Sequence, residues 1–431
     1  MPMENDKIIE VLSSWNFWNK EQDIGIYRKH YLEKLDNFID TGQIIAITGA
    51  RRSGKSTLMK QFIKKMINSG KNTSSFLYVN FEEPKFSDYL NLEFIQQIYD
   101  AYLEIVKPSE TPYLLFDEIQ NVPKWEKFVR GLHEKKEANI IISGSTSKLM
   151  SKELGTLLTG RWMEIKTYPL SFIEFLNFKQ LNIQNKLDVL SQKTKIKQLL
   201  REYLKDGGFP LVVLKNEKEE ILNRYFDDII GKDIAERHRI RKVEKLRSLA
   251  RFYLTNVATS ISYRKIAKFI GLSLDSTERI SSYMEDAYFI FFIRKFSYSL
   301  KEQEINPRKV YGLDPGLINM VGFKFSDNIG RLYENIVFLN LVRKGKEIYY
   351  YKNRYECDFI IKKGKKVEEI IQVCYNLEKD TTKKREIEGL LEGSRDLKCS
   401  NLYIITEDFE SEQKIEGKKI KFIPLWKWLL T

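Results

Sequence analysis

Cysteine and histidine are nearly absent, with three of each in 431 residues. Cys357, Cys374 and Cys399 contain no CxxC pair, and His30, His133 and His238 are equally scattered. A structural zinc site is therefore not expected, and a reducing compartment fits. Long apolar runs are missing too. The longest, Ala287 to Ile293, has seven residues, far short of the roughly 20 that a membrane helix needs. Met1 to Lys20 carries no apolar block of the signal-peptide kind. Nor is there an internal repeat or a low-complexity stretch. These absences lead us to expect a cytoplasmic protein with no membrane partner.

What is present is a chain too long for one core, so two to four domains are expected. Charged residues make up 30% and apolar residues 42%, an ordinary globular composition. Net charge is +13, which suits a polyanionic partner but equally suits plain solubility.

From Gly42 to Thr167, short apolar runs alternate with helical ones. Ile44–Thr48, Ser75–Phe81, Tyr113–Phe116, Asn139–Ser143 and Trp162–Thr167 read as strands buried on both faces. Lys55–Asn68, Leu92–Val106, Pro123–Lys135 and Ser147–Leu158 read as helices. The pattern predicts an α/β domain with a parallel sheet. After Pro169 the chain turns helical over Phe172–Lys205, breaks at Gly207-Gly208-Phe209-Pro210, and is helical again from Glu217 to about Arg237. A basic helical stretch runs from Lys242 to about Ile293. Strands return at Ile348–Tyr351, Glu356–Ile361, Val367–Cys374 and Leu402–Thr406.

Gly49-Ala50-Arg51-Arg52-Ser53-Gly54-Lys55-Ser56, followed by Thr57, matches the phosphate-binding loop G-x-x-x-x-G-K-[ST] between a buried strand and a helix. Gly49 and Gly54 let backbone N–H groups approach phosphates, and the following helix aims its positive end at them. Lys55 would neutralise the β- and γ-phosphates, and the Ser56 hydroxyl would ligate Mg²⁺. ATP and Mg²⁺ are the expected cofactors. Tyr113-Leu114-Leu115-Phe116 delivers Asp117 and Glu118 to the same sheet edge. Asp117 would hold Mg²⁺ and Glu118 would activate water. Tandem acids favour hydrolysis over phosphoryl transfer, although Glu118 could also serve only as a helix N-terminal acid. The next strand ends in Ser143-Gly144-Ser145-Thr146, where Ser145, with Thr146 as runner-up, would lie between the acids and the γ-phosphate. An N-cap role for these residues is an equal reading.

In order, the phosphate loop, Phe116-Asp117-Glu118-Ile119-Gln120, Gly144-Ser145-Thr146-Ser147, Leu158-Thr159-Gly160-Arg161 and Pro169-Leu170-Ser171-Phe172 resemble the prokaryotic, largely archaeal, AAA+-like P-loop ATPases. Those proteins carry a winged helix and a nuclease-like C-terminal domain. The resemblance covers nearly the whole chain. It implies a P-loop sheet with a helical lid, then a winged helix, then an α/β nuclease-like end, with boundaries 1–168, 169–240, 241–325 and 326–431. It also implies an arginine finger at Arg161, for which a surface arginine pairing with the sheet edge is an equal reading, base contacts from Gly208 and Pro210 in the lid, and one from Arg28 ahead of the first strand. For Gly207–Pro210 an ordinary helix-breaking turn is as good a reading.

Residues 231–310 hold seventeen Lys/Arg against nine Asp/Glu. Ile261–Gly271 and Leu272–Met284 read as a helix-turn-helix closed by Ile266, Phe269, Ile270, Ile280 and Met284, with candidate wing strands in Ala287–Ser299 and Lys309–Gly312. Ser276, Thr277, Arg279 and Ser282 would face DNA, with Arg264, Lys265 and Lys268 on phosphates. Protein docking is the competing use. The C-terminal stretch resembles the PD-(D/E)xK nucleases, which places Glu334 and Asp358 in the two acid positions. Glu356 shares a strand face with Asp358. Gln372 stands where a carboxylate belongs and Cys374 where the lysine belongs, and Lys379 lies beyond the strand. An inactive nuclease-like domain is therefore expected. The leading expectation is an ATPase coupled to its C-terminal half, with DNA as a candidate partner through residues 241–310. A slow switch controlling a protein partner or a homo-oligomer is the alternative, and an ATP-regulated nuclease the third.

Overall fold

The computed structural model describes residues 3–145, 160–322, 329–377 and 380–431. The chain divides into two compact units, Met1–Thr167 and Tyr168–Thr431.

The first unit is built on β1 (Ile44–Gly49), β2 (Phe76–Asn80), β3 (Tyr113–Asp117), β4 (Asn139–Gly144) and β5 (Trp162–Thr167). Its helices are α1 (Asn5–Ser13), α2 (Lys29–Ile39), α3 (Lys55–Asn68), α4 (Leu92–Ala101) and α5 (Trp125–Lys135). All strand pairs are parallel, in the order β2-β3-β4-β1-β5. Alternate strand residues feed opposite cores. Ile44, Ala46, Leu77, Val79, Leu114, Phe116, Ile140 and Ile142 enter one. Ile45, Ile47, Phe76, Tyr78, Leu115 and Ile141 enter the other. Two-sided burial is why these strands read as unbroken apolar runs.

The strand order matters for the site. Because β4 lies between β1 and β3, its C-terminal end abuts both the phosphate loop and the acids. Edge strand β2 is covered in part by Asn16. This side chain accepts from the Tyr78 N–H (2.7 Å) and donates to the Tyr78 carbonyl (2.9 Å), as a neighbouring strand would. The expected helix Leu92–Val106 is α-helical only to Ala101 and finishes as a π-helical turn, Tyr102–Val106. The expected helix Ser147–Leu158 lies outside the described residues.

The second unit opens with α6 (Phe172–Phe178), α7 (Lys186–Ser191), α8 (Lys193–Asp206), α9 (Pro210–Leu214) and α10 (Lys218–Asp228), which runs on into π-helical Ile229–Glu236. Next come α11 (Val243–Thr255), β6 (Thr259–Ile261), α12 (Tyr263–Ile270), α13 (Leu274–Asp286), β7 (Ile290–Ile293), α14 (Leu300–Ile305) and β8 (Arg308–Gly312). The three strands form an antiparallel sheet in the order β6-β8-β7. Then follow α15 (Pro315–Val321), α16 (Ile329–Arg343), β9 (Glu347–Lys352), β10 (Glu356–Lys363), β11 (Lys366–Val373), α17 (Asp380–Leu397), β12 (Leu402–Thr406), β13 (Ser411–Ile415), β14 (Lys418–Pro424) and α18 (Leu425–Trp428). These six strands form a mixed sheet, β13-β14-β12-β11-β10-β9.

Two expectations for α12 and α13 are reversed. Phe269, expected in the small core, is 75% exposed. Thr277, expected on the outer face, is buried, and its hydroxyl donates to the Ser273 carbonyl at 3.0 Å. The turn at Gly271 (φ +72°) rotates α13 so that Thr277, Ile280, Ser281 and Met284 face inward. Arg264, Lys265, Lys268 and Arg279 are exposed as expected.

Candidate nucleotide site and a buried carboxylate cluster

The phosphate loop leaves β1 at Gly49, which has φ +142°. A side chain there would place its Cβ 2.1 Å from the Thr167 carbonyl oxygen, so the close approach of β5 demands glycine. The loop also takes positive φ at Arg52 (66°) and Gly54 (96°), and α3 begins at Lys55. Ser53 is pinned by a 3.0 Å bond to Thr167 Oγ1, and Arg51 pairs with Glu82 at 3.0 Å. Arg28 is buried and donates to the Ser53 carbonyl at 2.7 Å, with its guanidinium 4.5 Å over the Tyr31 ring. It therefore braces the loop from behind.

Lys55 Nζ lies over the loop, 3.2 Å from the Gly49 carbonyl, 3.3 Å from that of Ala50 and 3.5 Å from Glu118 Oε1. Asp117, at the end of β3, is fully buried and converges with three hydroxyls. Tyr78 on β2 donates to its Oδ2 at 2.6 Å, and Ser143 on β4 donates to its Oδ1. Ser56 at the start of α3 bonds to both Asp117 and Tyr78. Burial and the neighbouring Glu118 charge push the Asp117 carboxyl above its usual range, against the lowering by Ser143, Ser56 and Tyr78. Glu118 turns out of the strand with φ +50°, a strained conformation for a non-glycine residue. Its N–H donates to Ser143 Oγ at 3.1 Å, and its Oε2 accepts from Gln120 at 2.5 Å.

An exposed serine hydroxyl beside a buried, penalised carboxylate is an oxygen donor set that a dication would relieve, so these residues fit Mg²⁺. The serine joining the acids is Ser143, which the sequence reading passed over in favour of Ser145. Ser145 is buried near the same strand end, and Thr146 lies outside the described residues. Arg161 is placed at the opposite sheet edge. Trp162 pairs with Ile44 while Thr167 pairs with Gly49, and Arg161 binds Glu134 at 2.6 Å. It does not reach the phosphate loop of its own chain.

The sequence-family comparison matches an AAA-domain model to residues 41–176, the segment just described, and a model of a domain of unknown function to residues 197–327. An uncharacterized protein of Methanocaldococcus jannaschii, MJ1544, is 38% identical over 408 residues, covering 90% of this chain and 88% of that protein. The chain belongs to its family, a family of AAA-domain proteins. An uncharacterized protein of Haemophilus influenzae is similar as well, 33% identical over 409 residues and covering 93% of this chain and 98% of its own. Among solved structures, the Walker-type ATPase PABY2304 of Pyrococcus abyssi aligns with 71% of this chain and 99% of its own, at 15% identity and a TM-score of 0.42.

In this AAA-domain protein the double glycine ahead of Pro210 has a packing cause. Asp314 Oδ2 accepts the Gly208 N–H at 2.7 Å, and its Oδ1 accepts from Gly316 at 2.9 Å. A Cβ on Gly207 would fall 2.0 Å from Asp314 Oδ1, and one on Gly208 would fall 2.5 Å from the Leu170 carbonyl. Pro210 itself begins α9. Burial pushes the Asp314 carboxyl up to about 6.

The C-terminal acids converge as well, but around an ammonium. Lys309 on β8 is buried, with Nζ 3.0 Å from Glu334, 2.7 Å from Glu356 and 3.1 Å from Asp358. Tyr311 donates to Glu334 at 2.8 Å. Gln372 Oε1 accepts the Asp358 N–H at 3.1 Å, and its amide donates to Glu386. The cation of this cluster comes from another sheet, a pairing no local spacing could reveal. Burial pushes the Cys374 thiol up to about 12, so it is neutral. Burial, together with the Asp358 charge, pushes Glu334 up to about 8, while the surrounding carboxylates hold Lys309 charged. Lys379 lies outside the described residues.

Three outcomes follow from this geometry. Tyr78→Phe removes a donor from a buried carboxylate and should cost about 1–3 kcal/mol in urea denaturation. Lys309→Met leaves the buried acid cluster without its cation and should cost about 3–5 kcal/mol. Glu334 keeps its proton in the fold up to about pH 8 but loses it near 4.5 when unfolded, so rising pH between those values favours unfolding. Glu334→Gln removes that slope. Its melting temperature relative to wild type should rise between about pH 5 and pH 8, and a flat or falling difference would contradict the assignment.

Proposed function

We propose that this AAA-type P-loop protein hydrolyses ATP with Mg²⁺ and couples nucleotide state to its second unit. The observation that carries this reading is the convergence of Lys55, Ser56, Asp117 and Glu118 at one sheet edge, with Ser143 bonding both acids. Loop N–H groups from Gly49 to Thr57 would bind the phosphates, and Lys55 would neutralise their charge. Ser56 and Asp117 would hold Mg²⁺, which supplies charge stabilisation at the transferred phosphoryl group. Glu118 would orient and deprotonate the attacking water, with Ser143 and Ser145 fixing the strand end beside it. Arg28 supports the loop near the base, and Pro210 remains a base-contact candidate. Arg161, held at the far edge by Glu134, would act only in the site of a neighbouring copy, so that role requires a homo-oligomer.

Within the second unit, we assign residues 169–240 to a lid, 241–325 to a winged helix and 326–431 to a nuclease-like α/β domain. The helix and strand order α11-β6-α12-α13-β7-α14-β8 supports the winged helix. The neutral Cys374 thiol and the Lys309 ammonium seated among the acids support a domain that does not cleave phosphodiesters. The switch reading, in which ATP occupancy controls a protein partner, is favoured over DNA coupling by α13. Its accessible charges are Asp275, Glu278 and Glu285 against Arg279 alone, a balance that repels phosphates.

The experiment is steady-state ATP hydrolysis with and without Mg²⁺ for wild type and Glu118→Gln. Wild type should turn over only with Mg²⁺, and the variant should lose about 10²–10⁴-fold in kcat while still binding ATP. Equal turnover in the two proteins would remove Glu118 from the chemistry.

A further inference from the structure

Among the described residues, five large apolar side chains are more than 70% exposed. Four of them, Phe269, Tyr298, Leu300 and Ile305, fall in one stretch of the chain, around α12 and α14. One of them, Ile305 (71%), lines a groove of about 510 Å³ between α13 and the α14–β8 corner, with Leu274 (37% exposed) on another wall. Glu278 and Glu285 of α13 also line it. Of its two bases, Arg308 is taken up by Glu304 at 3.1 Å and by the Tyr263 ring at 5.9 Å, which leaves Arg264 to face Glu278 and Glu285, so the acids of the groove outnumber its bases. Glu278 has no ion-pair partner among the described residues.

We propose that this groove docks an extended segment of a protein partner, one that presents an apolar side chain to Leu274 and Ile305 and a lysine or arginine to Glu278. Duplex DNA offers little apolar surface to cover these side chains, and its phosphates would meet Glu278 and Glu285 on α13. A peptide with a basic residue beside an apolar one satisfies both features. The inference deepens the protein-partner reading above and rests on it. Its test needs no ATP turnover, so its failure is distinguishable from failure of the ATPase reading.

The test uses the full-length protein and two substitutions at exposed positions, Ile305→Asp and Leu274→Ser, each checked for an unchanged melting temperature. Random displayed peptides of about 12 residues are selected on wild type, and the enriched sequences are synthesised with a fluorescent label and titrated. Enriched peptides should pair an apolar residue with Lys or Arg and should bind each variant at least about tenfold more weakly than wild type. Peptides that bind wild type and both variants alike would overturn the proposal, as would a selection that enriches none. A labelled duplex of about 30 base pairs whose binding falls about tenfold in both variants would assign the face to DNA instead. Self-association of wild type in sedimentation, lost in both variants, would assign it to a second copy.

Discussion

A single buried carboxylate organises the first unit. Asp117 cannot remain in the core of a five-stranded sheet unless its oxygens are satisfied. The groups that satisfy it come from every part of the site. Tyr78 reaches across from β2, Ser143 from β4 and Ser56 from the start of α3. Ser143 then fixes the Glu118 N–H, and Glu118 faces Lys55 over the loop. Asn16 anchors the Tyr78 backbone, so the edge of the sheet is tied into the same chain of contacts. Removing the acid would therefore loosen the loop, the strand ends and the edge strand together, because their hydrogen bonds converge on it.

The second unit contains the complementary arrangement. Three carboxyl groups from α16 and β10 meet, and the cation that balances their charge is a side chain of the same polypeptide. At the proposed nucleotide site the carboxylate would be balanced by a cation that arrives from solution with phosphates. At the C-terminal cluster Lys309 is covalently present and ties β8 to the larger sheet. The same physical requirement, that buried negative charge be balanced, thus gives a binding site in one unit and a structural joint in the other.

Much of the nucleotide site was legible because its signal is local. Strand, loop and helix are contiguous from Ile44 to Asn68, and the acids follow an unbroken apolar strand. Strand β5 and helix α3 have the bounds the pattern predicts. What could not be read comes from partners distant in sequence. Tyr78 looked like one more aromatic in a buried strand, and only the parallel register Asn80↔Asp117 brings it to the acid. Ser143 and Ser145 are both polar residues at a strand end, and the choice between them depends on side-chain direction. Lys309 looked like the start of a wing strand in a basic stretch, whereas its acid partner Glu334 lies 25 residues further along the chain. Helix periodicity placed Ile266 and Ile280 inward correctly, but the turn at Gly271 set the rotation that exposes Phe269 and buries Thr277. Strands β13 and β14 were missed because their apolar residues alternate with lysine and glutamate, so no continuous run marks them.

The most direct test of the central claim is calorimetric titration of ATP into wild type and Asp117→Asn, each with Mg²⁺ and with a chelator. If Ser56 and Asp117 hold the metal, Mg²⁺ should strengthen ATP binding to wild type by about tenfold or more, a coupling of about 1.4 kcal/mol, and the substitution should erase that gain. Equal affinity for ATP in Mg²⁺ and chelator, or a gain that survives in Asp117→Asn, would contradict a metal–nucleotide site built on this carboxylate.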